Sequence, residues 1–366
     1  MGVDFNQLAD VLKTTLDDLP KGQYEVMWDE NYYEFCSIYN EQRRKVDGGK
    51  AIVRNVVLDE TGAADYRKPF DTDQPTVENI HQQITVPWTQ VGTNYSWDLA
   101  EILMNKRSPK GFIDMVESRK MERLWGFANR LEERGWKTPT SATDTKYPYG
   151  VPYYLNMLAD NSTTAGFNGQ TIRYQDATTG TVCAGLDAST NAKWRNYAAT
   201  YNKVDSGLLK TMRRACMLTN FRPPVGVGIK APGSDSAGPV VRIYCGEDVA
   251  VELQTLADSR DDSTQPQDLA GKMLVPSGDT RNVCYFSRRP VLYVSYLNTA
   301  EHAPIYCVDW SKLIPVTLDG GWMIESDVHN HGLQHTTFTV YMDAYHNNLC
   351  VNRRTAGWVI HTPIVV

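Results

Sequence analysis

The sequence predicts an α+β protein, and three observations carry that reading. Segments with apolar residues at helical spacing stand apart from short runs rich in Val, Ile, Tyr and Phe that read as strands. One segment, Ser108 to Gly135, keeps its helical pattern for about 26 residues, roughly 39 Å at 1.5 Å per residue. A content of 42% hydrophobic residues in a chain of 366 suffices for two or three packed cores.

Taken in order, the first element is an amphipathic arm. Phe5, Leu8, Val11, Leu12, Leu16 and Leu19 fall at helical spacing, and Pro20 stops them. A second helix is expected over Glu30 to Arg44, broken by Asp47-Gly48-Gly49. From Gly48 to Trp136 the chain makes an excursion: a strand over Ala51 to Leu58, a polar tip over Thr61 to Thr76, a returning strand, and the long helix. On the returning arm Ile84, Val86 and Trp88 alternate with polar residues. The phase then changes near Pro87 and Gly92 to Val91, Tyr95, Trp97 and Leu99, which reads as a bulge. A lone two-stranded ribbon is marginal in water, so aromatic residues on this one imply a surface supplied from elsewhere, with another copy of the chain as the expected source.

The long helix has Ser108 as its expected N-cap, Pro109 at its first position and Gly135 as its stop. Ile113, Val116, Leu124, Phe127 and Leu131 form its apolar side, and Glu117 with Lys120, or Arg130 with Glu133, can pair on the other. Thr138 to Gly185 reads as loops with short strands. Helices are expected at Ala192 to Tyr201 and Ser206 to Leu218, followed by a Pro/Gly-rich link from Pro223 to Pro239. A strand at Val240 to Cys245, a helix at Glu247 to Asp258 and an acidic loop at Ser259 to Gln267 come next. Strands at Asn282 to Phe286, Val291 to Tyr296 and Ile305 to Val308 complete an α+β unit from Ser206 to about Ser326. Two more strands, Thr336 to Met342 and Trp358 to Val366, end the chain.

The charge balance, 37 basic against 43 acidic residues for a net charge of -6, disfavours a protein that grips nucleic acid with a broad cationic face. Seven cysteines lie singly, with no C-x-x-C pair and mostly beside apolar residues, the pattern of buried free thiols in a reducing compartment. No apolar stretch approaches the ~20 residues that span a bilayer, and Met1 to Asp17 lacks a signal-peptide core. The expectation is a soluble protein made in a cytoplasm, with no membrane partner.

Motifs for chemistry are weak. His329-x-His331-x-x-x-His335 shares strand parity and could hold zinc in a metal-dependent enzyme, but Gly332 interrupts the strand and no nearby cysteine completes the site. Ordinary surface histidines are the better reading. Gly226-Val227-Gly228-Ile229-Lys230 lacks the phosphate-loop pattern, and Asp258, Asp261, Asp262 and Asp268 fit no calcium loop. There is no G-x-S-x-G, no H-E-x-x-H and no cysteine nucleophile context. No catalytic, cofactor or metal site is therefore assigned. Trp88, Tyr95 and Trp97 could stack on single-stranded nucleic acid, but not one Lys or Arg lies between Ile80 and Glu101, which favours packing against protein.

The order of elements resembles that of the major capsid proteins of tailed bacteriophages, with the Hong Kong ninety-seven phage fold. The resemblance spans nearly the whole chain. Its more specific parts are Leu256-Ala257-Asp258-Ser259-Arg260-Asp261, Arg289-Pro290-Val291-Leu292-Tyr293-Val294, Pro304-Ile305-Tyr306-Cys307-Val308-Asp309-Trp310, Gln334-His335-Thr336-Thr337, Asp343-Ala344-Tyr345 and Cys350-Val351-Asn352-Arg353-Arg354. It implies an N-terminal arm (1–47), an extended E-loop hairpin (48–105), a peripheral domain with the spine helix (106–205), an inserted axial domain (206–326) and a return to the peripheral domain (327–366).

The resemblance also implies a non-enzymatic protein that self-assembles as hexamers and pentamers into the icosahedral head of a virion, built in the bacterial host cytoplasm. Its partners would be copies of itself, a portal, a separate scaffolding protein, and packaged double-stranded DNA held without sequence specificity. Trp88, Tyr95, Trp97, Arg54, Asp258 and Arg260 are the candidate intersubunit contacts. An encapsulin-like nanocompartment shell is the nearest alternative. Some relatives cross-link an E-loop lysine; Lys50 and Lys68 lie here, but nothing local marks either as reactive, and no cross-link is assigned.

Overall fold

In the computed structural model the described residues are 33–58, 66, 68, 81–104, 109–220, 240–261, 274–276, 282–331 and 334–365. The expected arm helix, most of the polar tip, the Ser108 cap, the link from Pro223 to Pro239 with its glycine run, and most of the acidic loop lie outside them.

The chain enters through α1 (Glu34–Gln42), then β1 (Arg44–Val46), β2 (Ala51–Val57), β3 (His81–Pro87) and β4 (Thr89–Asp98). A short α2 (Leu99–Met104) precedes the long helix α3 (Pro109–Gly135), whose extent matches the expectation, and then α4 (Val151–Tyr154). Short strands follow: β5 (Gly166–Gly169), β6 (Ile172–Arg173), β7 (Thr179–Gly180), β8 (Val182–Cys183) and β9 (Leu186–Asp187). Next come β10 (Asn196–Thr200), α5 (Ser206–Thr219), β11 (Val241–Cys245), α6 (Glu247–Asp261), β12 (Leu274–Pro276), β13 (Asn282–Phe286), β14 (Arg289–Tyr293) and β15 (Ile305–Asp309). The chain closes with β16 (Leu313–Leu318), β17 (Ile324–Glu325), β18 (His329–His331), the 17-residue β19 (Gln334–Cys350), α7 (Arg353–Ala356) and β20 (Gly357–His361).

One sheet runs β12-β13-β14-β11-β15-β20-β10-β5. Its central strands are buried on both faces, and their alternation sorts side chains into two cores. Tyr197, Ala199, Ile243, Cys245, Ile305, Cys307, Trp358 and Ile360 face a core closed by α5 and α6 through Leu208, Leu209, Met212, Val249, Leu253 and Ala257. Ala198, Tyr244, Tyr306, Val308 and Val359 face the other core, with α1, the C-terminal half of α3 and the inner face of β2 and β3. The sheet joins strands from both sides of positions 206 and 326.

A second sheet is organised on β19, which pairs antiparallel with β16, β4, β17 and β18, while β1 pairs parallel with β16. α3 lies along it.

Three expectations need correction. The helix expected from Glu30 to Arg44 ends at Gln42, because Arg44–Val46 is recruited as a strand beside Val316–Leu318. Ala192 to Tyr201 is a 3-10 turn (Ala192–Trp194) and then a strand. Alanine-rich sequence favours helix, but two cores demand alternation here, and tertiary burial overrides propensity. The phase change after Val86 is a change of sheet and not a bulge: β3 pairs only with β2 and β4 only with β19, each in unbroken register. Pro87, which has no N–H to continue a ladder, sits at the switch.

All seven cysteines are free thiols, five of them buried. Burial pushes Cys183 up to about 11 and Cys36 and Cys284 up to about 12, so they are inert at neutral pH.

Two buried histidines make the fold sensitive to acid. Leu158 N–H donates to His361 Nε2 at 3.0 Å, leaving Nδ1–H to donate to the Thr362 carbonyl at 2.7 Å. His346 Nδ1 is bonded to the Tyr39 hydroxyl at 2.8 Å. Burial lowers both imidazoles to about 4. A depressed folded value means the unfolded chain binds more protons below 6.5. Stability should therefore fall between pH 6.5 and 4, by roughly 3 kcal/mol per histidine at the acid end. Urea midpoints at pH 7 and 4.5 should differ accordingly, and His346→Gln should remove about half of the difference.

Candidate assembly surface

The β2–β3 hairpin has two unlike faces. Ile52, Val56, Ile84 and Val86 turn inward onto the chain's own core, and Thr85 N–H donates to the Ala184 carbonyl at 3.0 Å. The outer face carries Val53 and Val57, 49% and 56% exposed, with Asn55, and opposite them Thr85, Gln83 and His81. Ala51–Val57 is thus apolar on both parities. That double parity is legible in the sequence itself, where Ala51, Val53 and Val57 alternate with Ile52 and Val56.

The candidate aromatic residues fold back onto their own chain. Trp88 packs against the first core and donates from Nε1 to the Gly49 carbonyl at 2.9 Å, closing the base of the hairpin. Tyr95 and Trp97, 5.7 Å apart, lie on the face of β4 turned toward α3. The Arg123 guanidinium sits over Tyr95 at 4.6 Å, and Trp97 stacks on Phe338 at 6.3 Å.

The contact between α3 and the second sheet is ionic. Arg119 makes a two-pronged bond to Glu101, 2.9 Å on each side, and donates to the Ser96 carbonyl at 2.8 Å. Arg123, buried, bonds Glu325, which also takes Lys120 at 3.2 Å. The hydrogen bond from Arg123, with Lys120 adding to it, holds the Glu325 carboxyl below its ordinary value. Arg130 pairs with Glu133 as expected, whereas Lys120 reaches Glu325 and not Glu117.

Arg54 lies on the inward parity of β2, at a cleft of about 530 Å³ with Lys193, Leu218, Val351 and Arg354. Among the described residues no carboxylate lines that cleft. Asp258 is exposed on α6, across the first sheet from the hairpin. Arg260 is also in α6, where its backbone alone is described. The candidates therefore fall on separate surfaces. His329 and His335 are exposed, and among the described residues no group of three or more His, Cys, Asp or Glu is placed to hold a metal ion. Among those residues no helix is long and apolar enough to cross a membrane.

A hairpin beside a long helix, a sheet carried on one 17-residue strand, and a second sheet with a core on each face make up a fold shared with solved phage capsid chains. Comparison with solved structures bears this out. The chain is similar to the capsid asymmetric unit of cyanophage A-1(L), with a TM-score of 0.61 at 12% identity over 96% of this chain and 99% of that one. It is also similar to the capsid of a native GTA particle, at 0.54 and 9% identity over 95% and 96%. The capsid of the Myoviridae phage XM1 gives 0.52 and 9% over 94% and 96%. No family model matches the sequence, and no curated protein matches it.

Proposed function

We propose that this chain is a structural, non-enzymatic protein that assembles with copies of itself, as hexamers and pentamers, into an icosahedral phage head enclosing double-stranded DNA. The observation that carries the reading is the end-to-end likeness in fold to the cyanophage capsid chain, over 96% of this chain and 99% of that one. In this reading residues 1–47 form the arm, 48–105 the E-loop, 106–205 the peripheral domain with the spine helix, 206–326 the axial domain and 327–366 the return. A portal and a separate scaffolding protein act with it in the host cytoplasm.

The outer hairpin face, with Val53 and Val57, is the surface laid on a neighbour, and the Arg54 cleft and the exposed side of α6 at Asp258 and Arg260 are further contact regions. Trp88 braces the base of the hairpin, and Tyr95 and Trp97 hold β4 against α3 and Phe338. Burying two half-exposed valines contributes on the order of 1 kcal/mol or more at each copy of the contact, so Val53→Asp with Val57→Asp should cut particle yield at least roughly tenfold. The circular dichroism and melting of the unassembled chain should stay unchanged. Sedimentation of the double variant checks this, and a normal particle peak would sink the hairpin assignment.

A further inference from the structure

Where α1, α3 and β11 converge, three carboxyl groups, those of Glu34, Glu41 and Glu132, gather near one guanidinium that reaches only the first two. Arg242 reaches Glu34 Oε1 through Nη1 at 2.5 Å and Glu41 Oε2 through Nη2 at 2.8 Å. The Tyr244 hydroxyl donates to Glu34 Oε1 at 2.6 Å and accepts from Trp310 Nε1 at 2.8 Å. Glu132, on α3, takes neutral donors: Phe35 N–H at Oε2 and Trp136 Nε1–H at Oε1, both at 2.7 Å, with the Glu34 backbone N–H also bonded to it. Glu34 and Glu132 are 0% and 1% exposed. Among the described residues, no cation pairs with Glu132.

An ionised carboxylate buried beside another, with the single guanidinium already shared by Glu34 and Glu41, is strongly disfavoured. A protonated carboxyl is not, and it still accepts from Phe35 N–H and Trp136 Nε1–H. We infer that Glu132 is a buried proton-binding site that fastens α1 to the long helix, and that release of its proton to solvent loosens α1. Burial, with the Glu34 charge adding to it, raises the carboxyl to about 8 against the lowering effect of its hydrogen bonds from Trp136 and from the Phe35 and Glu34 backbone.

The other titratable or charged groups in this region are Glu34, Cys36, Tyr39 and Glu41 on α1, Arg242 and Tyr244 on β11, and Tyr306 against Trp136. His346 touches Tyr39 from β19. The last titrates well below neutrality and the thiol and phenols well above it, so none of these changes charge between pH 6.5 and 8.

The sign follows from linkage. A raised folded value gives stability that is complete below the unfolded value of 4.5 and is lost as pH rises through 8. Hydrogen exchange on the full-length chain, corrected for base catalysis, should show protection at Ile38 and Tyr39 falling about tenfold per pH unit from 6.5 to 8 and levelling above it. Glu132→Gln, neutral at every pH, should be flat across the window. In infrared difference spectra the wild-type chain should lose one protonated-carboxyl band over the same range. Flat wild-type protection, an unchanged slope in E132Q, or the absence of that band would each overturn the inference, and the wild-type measurements stand even if the variant folds poorly.

Discussion

Arg353→Ala should be among the most damaging single substitutions in the chain, costing on the order of 4 kcal/mol and leaving little soluble protein. Arg353 is 0% exposed, and among the described residues no carboxylate pairs with it. It is held by oxygens from separate segments instead: Nε donates to the Tyr154 carbonyl at 2.8 Å, Nη1 to the Trp194 carbonyl at 2.9 Å, and Nη2 to the Gly169 carbonyl at 3.4 Å and Asn196 Oδ1 at 3.2 Å. One planar guanidinium thus ties α4, the 3-10 turn, β5 and β10 to the start of α7. Alanine would strand those carbonyls in a dry core, and water cannot reach them without opening the junction. Arg353→Lys should recover only part of the loss, since a point ammonium cannot span the four acceptors. Urea denaturation of both variants checks the order; a loss below about 1 kcal/mol for alanine would mean that the junction relaxes without the guanidinium.

The second large effect is Gly357→Ala. Gly357 opens β20 at φ +157 and ψ -166, a conformation reserved almost entirely for glycine. A Cβ built there would overlap the carbonyl oxygen of Cys307 on β15 and press on Leu155. The conformational cost of about 1–3 kcal/mol adds to that of parting two central strands, so the total should reach about 4 kcal/mol. The overlap cannot be relieved locally, because β15 pairs with β20 on one side and β11 on the other. Thermal unfolding of G357A should show a drop of many degrees, and a melting temperature within a few degrees of wild type would contradict this packing.

These two residues also mark where sequence reading stops. The long helix was legible to within a residue because Pro109 and Gly135 punctuate it and its apolar positions keep a helical period between them. Val241–Cys245, Asn282–Phe286 and Ile305–Asp309 were legible because runs of β-branched and aromatic residues stand between turn signals. Asn352-Arg353-Arg354 reads as a polar turn, and nothing local reveals that its middle residue is the best-buried cation among the described residues. Glu132 occupies what a helical wheel presents as part of the charged side of α3, and only the arrival of α1 buries it. The strand at Asn196–Thr200 was hidden for a related reason, since its pattern is dictated by two cores contributed by distant segments.

For the assembly surface, the hairpin and its place before the long helix were readable, but its partition was not. Nothing in Pro87-Trp88-Thr89 announces that β3 and β4 belong to different sheets. The exposed aromatic ribbon expected from the sequence is therefore a hairpin seated on its own core, followed by a strand whose rings lie against α3.

Closure of this fold into a shell is what the proposed function requires above all. Cryo-electron microscopy of the full-length chain, expressed alone and with the proteins encoded beside it, tests it most directly. The predicted result is closed icosahedral particles of hexamers and pentamers, with the outer hairpin face of each subunit, at Val53 and Val57, buried against a neighbour. Particles in which that face remains open to solvent would contradict the contact assignment, and a small, discrete soluble oligomer under every assembly condition would contradict the claim itself.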